Sequence, residues 1–140
     1  AVLSEAAGAS PGDESLAIAL GRALALSGDP TAAEVAMDRL SPALQSDPPV
    51  REVRALAHFA RLVASPDETD AIQSARVAAA RALLRGDLQA GLDGLLAAMQ
   101  RNRRYGTQQG REGLLQAFDL APADHPGVAA ARRSLAALLH

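Results

Sequence analysis

The sequence predicts an all-α fold, a stack of about seven helices paired into antiparallel hairpins. Three observations predict it. Ala (33) and Leu (21) dominate the 140 residues, whereas there are two Phe, one Tyr, two Ile and no Trp. That mixture favours helix, because strands prefer β-branched and aromatic residues. Apolar side chains recur at three- and four-residue spacing in segments separated by Gly, Pro and Asp, the pattern of helices with one buried face. Finally, a helix–Gly-Asp–helix pattern occurs twice, at Gly28-Asp29 and again 58 residues later at Gly86-Asp87.

A chain of this length supports one ordinary domain and hides about two-thirds of its surface on folding, so it needs no covalent staples. With no cysteine, disulfides, thiolate metal sites and thiol redox chemistry are excluded within it. A formal charge of −2 argues against a nucleic-acid partner, and all fourteen basic residues are Arg, a usage we assign to GC-rich coding. No run of 18 apolar residues occurs, and the start lacks the n- and h-regions of a signal peptide. The expected setting is therefore the cytoplasm, with no membrane partner. Without Met at position 1, the chain reads either as a clipped product or as a piece of a longer protein.

Residues 1–12, small and polar, read as a loose leader, and residues 13–140 as a single helical domain. Asp13 is expected to cap a first helix running to about Ser27, with Leu16, Leu20, Ala23 and Leu24 on one face. Gly28 suits a left-handed position past that helix, while Asp29 and Pro30 suit the cap and first residue of the next. The second helix carries Ala33, Ala36, Met37 and Leu40, and Pro42 ends it near Leu40 or Ser41. The third, 49–64, has Val50, Val53, Ala57 and Ala60 inside and an Arg-bearing outer face. Ser65-Pro66-Asp67 separates it from a fourth, 68–85, with Ile72, Ala75, Ala79, Ala82 and Leu83. The fifth, 87–101, carries Leu88, Leu92, Leu95, Leu96 and Met99; the sixth, 107–120, carries Leu114, Leu115 and Phe118. Pro126 opens the last, 126–139, with Val128, Ala131, Leu135, Leu138 and Leu139.

Aligning residues 22–32 on 80–90 matches Leu26 with Leu84, Gly28 with Gly86, Asp29 with Asp87 and Ala32 with Ala90. The first copy resembles the tetratricopeptide (TPR) consensus. Leu20-Gly21 take the Leu-Gly pair of its helix A, Leu24 the large residue after it, Gly28 the turn, and Ala33 the small residue of helix B. Small residues at such a crossing let two helices approach closely. The consensus Trp and terminal Pro are absent or displaced. An offset of 58 rather than 34 or 68 predicts an irregular helical pair between the copies.

The last forty residues carry a more specific pattern. Arg101-Asn-Arg-Arg-Tyr105 is followed by Gly110-Arg111-Glu-Gly-Leu114-Leu115-Gln-Ala-Phe118, then His125-Pro126-Gly-Val128 and Arg132-Arg133-Ser-Leu135-Ala-Ala-Leu138-Leu139. This resembles the C-terminal, TPR-like extension of bacterial thioredoxin-fold co-chaperones (chaperedoxins), over roughly 13–140. The family's thioredoxin domain, with its C-x-x-C or S-x-x-C site, has no counterpart here, and the Ser65–Ala75 segment is shorter than the family's spacing. The resemblance implies an isolated C-terminal domain of such a protein, a holdase that binds unfolding clients. It also implies delivery of those clients to a GroEL-type chaperonin through the last helix.

No catalytic, cofactor or metal constellation is visible. His58, His125 and His140 have no ligand partner at helical spacing, and Asp67, Glu68 and Asp70 read as helix-start charge. No Ser lies in G-x-S-x-G, and no glycine run forms a phosphate loop. The residues singled out for partner binding are basic and apolar. Arg101, Arg103, Arg104 and Arg111 form a patch that reads as helix-terminal and turn charge, or as a contact for an acidic partner. In the last helix Arg132, Arg133, Leu135, Leu138 and Leu139 form an amphipathic end that packs on the sixth helix, docks on a partner, or does both. Arg51, Arg54, His58 and Arg61 make a stripe on the third helix that reads as a solvated face or a groove lining.

Overall fold

The computed structural model describes residues 11–122 and 124–139, with side chains from Asp13 onward. Those residues are helical and turn structure with no strand, as predicted. The chain divides into two compact units, residues 1–64 and 65–140, each treated separately below.

The first unit holds α1 (Pro11–Leu26), α2 (Pro30–Asp38), a 3-10 turn (Pro42–Leu44) and α3 (Pro48–Ala64). Residues 1–10 of the expected leader lie outside the described residues. Asp13, expected as a cap, instead stands with Glu14 inside the first turn of α1, where carboxylates complement the helix dipole. At the α1–α2 turn Gly28 has φ +94°, the left-handed conformation that glycine adopts without strain. Its N–H donates to the Ala25 carbonyl at 3.3 Å and the Asp29 N–H to the Leu24 carbonyl at 2.9 Å, closing the end of α1. Asp29 then caps α2 by accepting from Ala32 N–H at 3.1 Å. One dipeptide thus ends a helix and starts its antiparallel partner. Pro42 prevents α2 from continuing, and Gln45 Nε2 donates to the carbonyls of Met37 (2.9 Å) and Leu40 (3.2 Å) at the helix end.

All three helices of this unit pack pairwise. They meet at Gly21, where a Cβ would stand 2.6 Å from Met37 Cε and 3.2 Å from Val53 Cγ1. Ala33, Met37, Val50, Val53 and Phe59 are fully buried around this crossing and along α3.

In the second unit, Asp70 caps α4 (Ala71–Leu84) by accepting from Gln73 N–H at 2.8 Å. Helix therefore begins three residues later than expected. Asp67 instead folds its own turn, accepting from Thr69 N–H at 3.0 Å and Thr69 hydroxyl at 2.7 Å, which takes residues 67–69 out of helical conformation. Gly86 (φ +85°) and Asp87 repeat the turn of the first unit bond for bond. Gly86 N–H donates to Leu83 O at 3.0 Å, Asp87 N–H to Ala82 O at 2.9 Å, and Ala90 N–H to Asp87 Oδ1 at 3.3 Å. α5 (Leu88–Arg101) follows.

The irregular helical pair expected between the two hairpins is not there. A single helix, α3, joins them, because residues 65–70 are spent on the Asp67 turn and the Asp70 cap rather than on a second helix. The sixth helix, α6, also differs from expectation. It starts at 103, not 107, because Asn102 turns out of α5 (φ −141°, ψ 102°) and its Oδ1 accepts from Tyr105 N–H at 3.1 Å. α6 runs as a short α-helical piece (Arg103–Tyr105), a π-helical turn (Gly106–Gly110) and an α-helix (Arg111–Phe118). α7 (Pro126–Leu139) closes the chain and makes seven helices among the described residues.

Candidate interaction surface

The basic run begins on the last residue of α5, where the Arg101 cation complements the helix C-terminus. After the Asn102 cap, Arg103 and Arg104 fall in the first turn of the next helix, the end that disfavours cations. Only part of this patch is therefore helix-terminal charge in a favourable place. Arg101, Arg104 and Arg111 are exposed, and none makes a side-chain hydrogen bond or ion pair among the described residues.

The wide π-helical turn between Arg104 and Arg111 is built on α5. A Cβ on Gly110 would stand 2.7 Å from Met99 Cγ and 2.9 Å from Tyr105 Cε2, so glycine is what lets the turn lie against Met99 and the Tyr105 ring. Burial pushes the Tyr105 hydroxyl above the usual phenol range. Arg76 partly opposes this, its guanidinium standing 6.0 Å from the ring centroid. Insertions of this kind re-aim the residues that follow them, here Arg111.

The amphipathic last helix divides its candidate residues between two roles. α7 packs chiefly on α5, and meets the sixth helix, as expected, at its π-helical turn. Leu135 is buried in that contact, and the Arg132 guanidinium lies 5.3 Å from the Phe118 ring centroid, a cation–π arrangement within the unit. Arg133 is exposed, Leu138 is half-exposed, and Leu139 stays 42% exposed. What α7 offers outward is thus Arg133 and its two terminal leucines, beside an exposed Arg132 that is engaged with Phe118.

The arginine stripe of α3 is in part the solvated face expected, with Arg51 and Arg61 exposed, and in part a tie to α2. Arg54 Nη2 bonds Asp38 Oδ1 at 3.0 Å and Gln45 Oε1 at 2.6 Å, and Arg61 Nη1 bonds Glu34 Oε1 at 2.6 Å. Asp38 and Glu34 lie on α2, so half the stripe fastens α3 to α2. His58, half-buried, stands edge-on to the Phe59 ring at 4.9 Å. Carboxylates spaced one turn apart on a neighbouring helix are the signal that would have predicted this, since both Arg54 and Arg61 have such a counterpart in Asp38 and Glu34.

Periodicity puts Leu16 on the apolar face of α1, yet it is 46% exposed, and Val35 of α2 is 43% exposed. Val35 lines an open groove of about 410 Å³ between α1 and α2, together with Leu20, Leu24 and Ala36. An equivalent groove of about 370 Å³ lies between α4 and α5, lined almost wholly by Ala and Gly with Arg85 and Arg101 at its rim. Among the described residues no cluster of three His, Asp or Glu could hold a metal ion. What these surfaces offer is apolar area beside guanidinium groups, the chemistry of binding a polypeptide.

A family model of the tetratricopeptide repeat matches residues 52–140, well over half of the chain, and a second model of the same repeat matches residues 1–57. No curated protein and no solved structure matches it. Together the two models span both Gly-Asp hairpins and the helix that joins them, and the chain belongs to the tetratricopeptide repeat family, a class of protein-interaction scaffold.

Proposed function

We propose that this chain is the protein-binding domain of a thioredoxin-fold co-chaperone. It binds unfolding clients and docks on a GroEL-type chaperonin in the bacterial cytoplasm, without catalysis or cofactor of its own. The observation that carries this reading is the division of labour in α7. Leu135 and Arg132 hold the helix in place, while Arg133, Leu138 and Leu139 of the same R-R-x-L-x-x-L-L pattern remain outward. A terminal apolar step beside a cation is the kind of feature a hydrophobic groove on a partner takes from a helix. Arg101, Arg104 and Arg111 supply further cations for the same partner or for acidic client segments.

The test is binding of the purified domain to the chaperonin, with two variants, truncation after Ala131 and Leu138→Asp/Leu139→Asp. Because truncation removes the buried Leu135, only the second variant separates docking from folding. Micromolar binding lost in a folded Leu138→Asp/Leu139→Asp variant supports the reading. No binding by the intact domain rejects it in favour of a second reading, a tetratricopeptide scaffold for a complex unrelated to chaperones. That second reading draws on the open α1/α2 groove, which lies in the other unit from α7.

A further inference from the structure

We propose that the open groove between α1 and α2 seats an amphipathic helix of a partner protein, one that carries carboxylates beside its apolar stripe. The first unit itself shows how this hairpin accepts a helix. On one side α3 lies across α1 and α2, inserting Val53 at Gly21. Its cations Arg54 and Arg61 meet the α2 carboxylates Asp38 and Glu34, and its Glu52 meets Arg22 of α1 at 3.4 Å. The groove is the other side of the same two helices. The hydrophobic anchors remain there: Leu20 and Leu24 line it, with Val35 (43% exposed) at its edge.

Charge selects the occupant. Glu34 and Asp38 are spent on α3. Of the two charged residues lining the groove, Asp29 is engaged as the α2 cap, whereas Arg39 is exposed and has no side-chain partner among the described residues. A helix laid in the groove therefore meets apolar side chains along its length and an unspent guanidinium at the end where α2 finishes. A second copy presenting the same groove would set concave against concave and leave the 410 Å³ unfilled, whereas a single helix fills it as a ridge. The α4/α5 groove has cations too, Arg85 and Arg101, but Ala78 and Ala82 replace Leu20 and Leu24, so it offers the cations without the anchors. This surface is independent of any chaperonin contact at α7, and the failure of either proposal leaves the other standing.

The test uses the full chain and a labelled 17-residue helical peptide, the length of α3, with Leu at three- and four-residue spacing and Glu on both flanks. A twin peptide has Lys in place of Glu. Fluorescence anisotropy is expected to show the Glu peptide binding at least ~10-fold more tightly than the Lys peptide. Arg39→Glu is expected to reverse that preference, and Val35→Glu to weaken both peptides. These positions are exposed, so helical content by circular dichroism should be unchanged in each variant. No binding, equal binding of the two peptides, or a preference that survives Arg39→Glu overturns the proposal. So does a concentration-dependent dimer in sedimentation that Val35→Glu abolishes, which would give the groove to a second copy.

Discussion

Gly21 of α1 lies directly beneath Met37 of α2: a Cβ on Gly21 would stand 2.6 Å from Met37 Cε. Gly113, by contrast, has nothing within 4 Å of the equivalent position. The same substitution should therefore act with opposite sign at the two sites. Gly21→Ala is expected to destabilise by roughly 1–3 kcal/mol through overpacking, less whatever Met37 relieves by moving its flexible end. Gly113→Ala, where α6 leaves open space for a Cβ, is expected to stabilise by about 0.5–1 kcal/mol through helix propensity. Urea unfolding of the two variants, read on a common slope, measures both; a loss at Gly113 would contradict the open space seen there.

The two Gly-Asp turns predict equal penalties at positions 58 apart. Gly28→Ala and Gly86→Ala place a Cβ at positive φ and are expected to cost about 1–2 kcal/mol each. Asp29→Ala and Asp87→Ala remove the cap and are expected to cost about 1 kcal/mol, with Asn at either position restoring most of it. Thermal unfolding of the six variants would show whether the pairs match.

Gln45 satisfies the Met37 and Leu40 carbonyls with its amide nitrogen and accepts from Arg54 with its oxygen. Gln45→Ala removes the side-chain donor from both carbonyls, of which Met37 keeps the Leu40 N–H at 3.1 Å, and is expected to cost about 1–3 kcal/mol. Gln45→Glu keeps the Arg54 contact but loses the donors, so it should recover little. Amide hydrogen exchange at the C-terminal end of α2 should accelerate in both variants, and unchanged rates would remove Gln45 from this role.

Asp67 accepts from the Thr69 hydroxyl and amide, and those two bonds hold its carboxyl below the usual carboxylate range, with Arg76 adding to the effect. Because the folded-state pKa is depressed, the stability it contributes is fully present above the unfolded value near 3.9, and it is lost as pH falls through the folded one. Thr69→Val removes the hydroxyl bond and should move the Asp67 titration upward toward the ordinary value in carbon-detected NMR. The Asp70 cap, built on its own bond to Gln73, should remain in the variant.

Much of this architecture is determined by short-range chemistry and is legible in the residues themselves. Gly28-Asp29-Pro30 and Gly86-Asp87 can end one helix and start the next because left-handed φ, a short acceptor side chain and a missing N–H are properties of those residue types. Apolar spacing likewise predicted α2, α3, α5 and α7 to within a residue or two. The starts of α4 and α6 were not legible, because a choice among nearby Asp, Thr and Asn acceptors depends on which turn closes first.

Only tertiary structure decided which faces became surface. Leu20 and Leu135 carry the same periodic signal, yet one lines an open groove and the other is buried, since burial depends on whether another helix arrives to cover the stripe. The arginines behave alike: Arg54 and Arg61 meet carboxylates on α2 while Arg39 and Arg101 meet none among the described residues. The side chain is the same in each case; helix packing sets the distance to an opposite charge, and Coulomb attraction follows that distance.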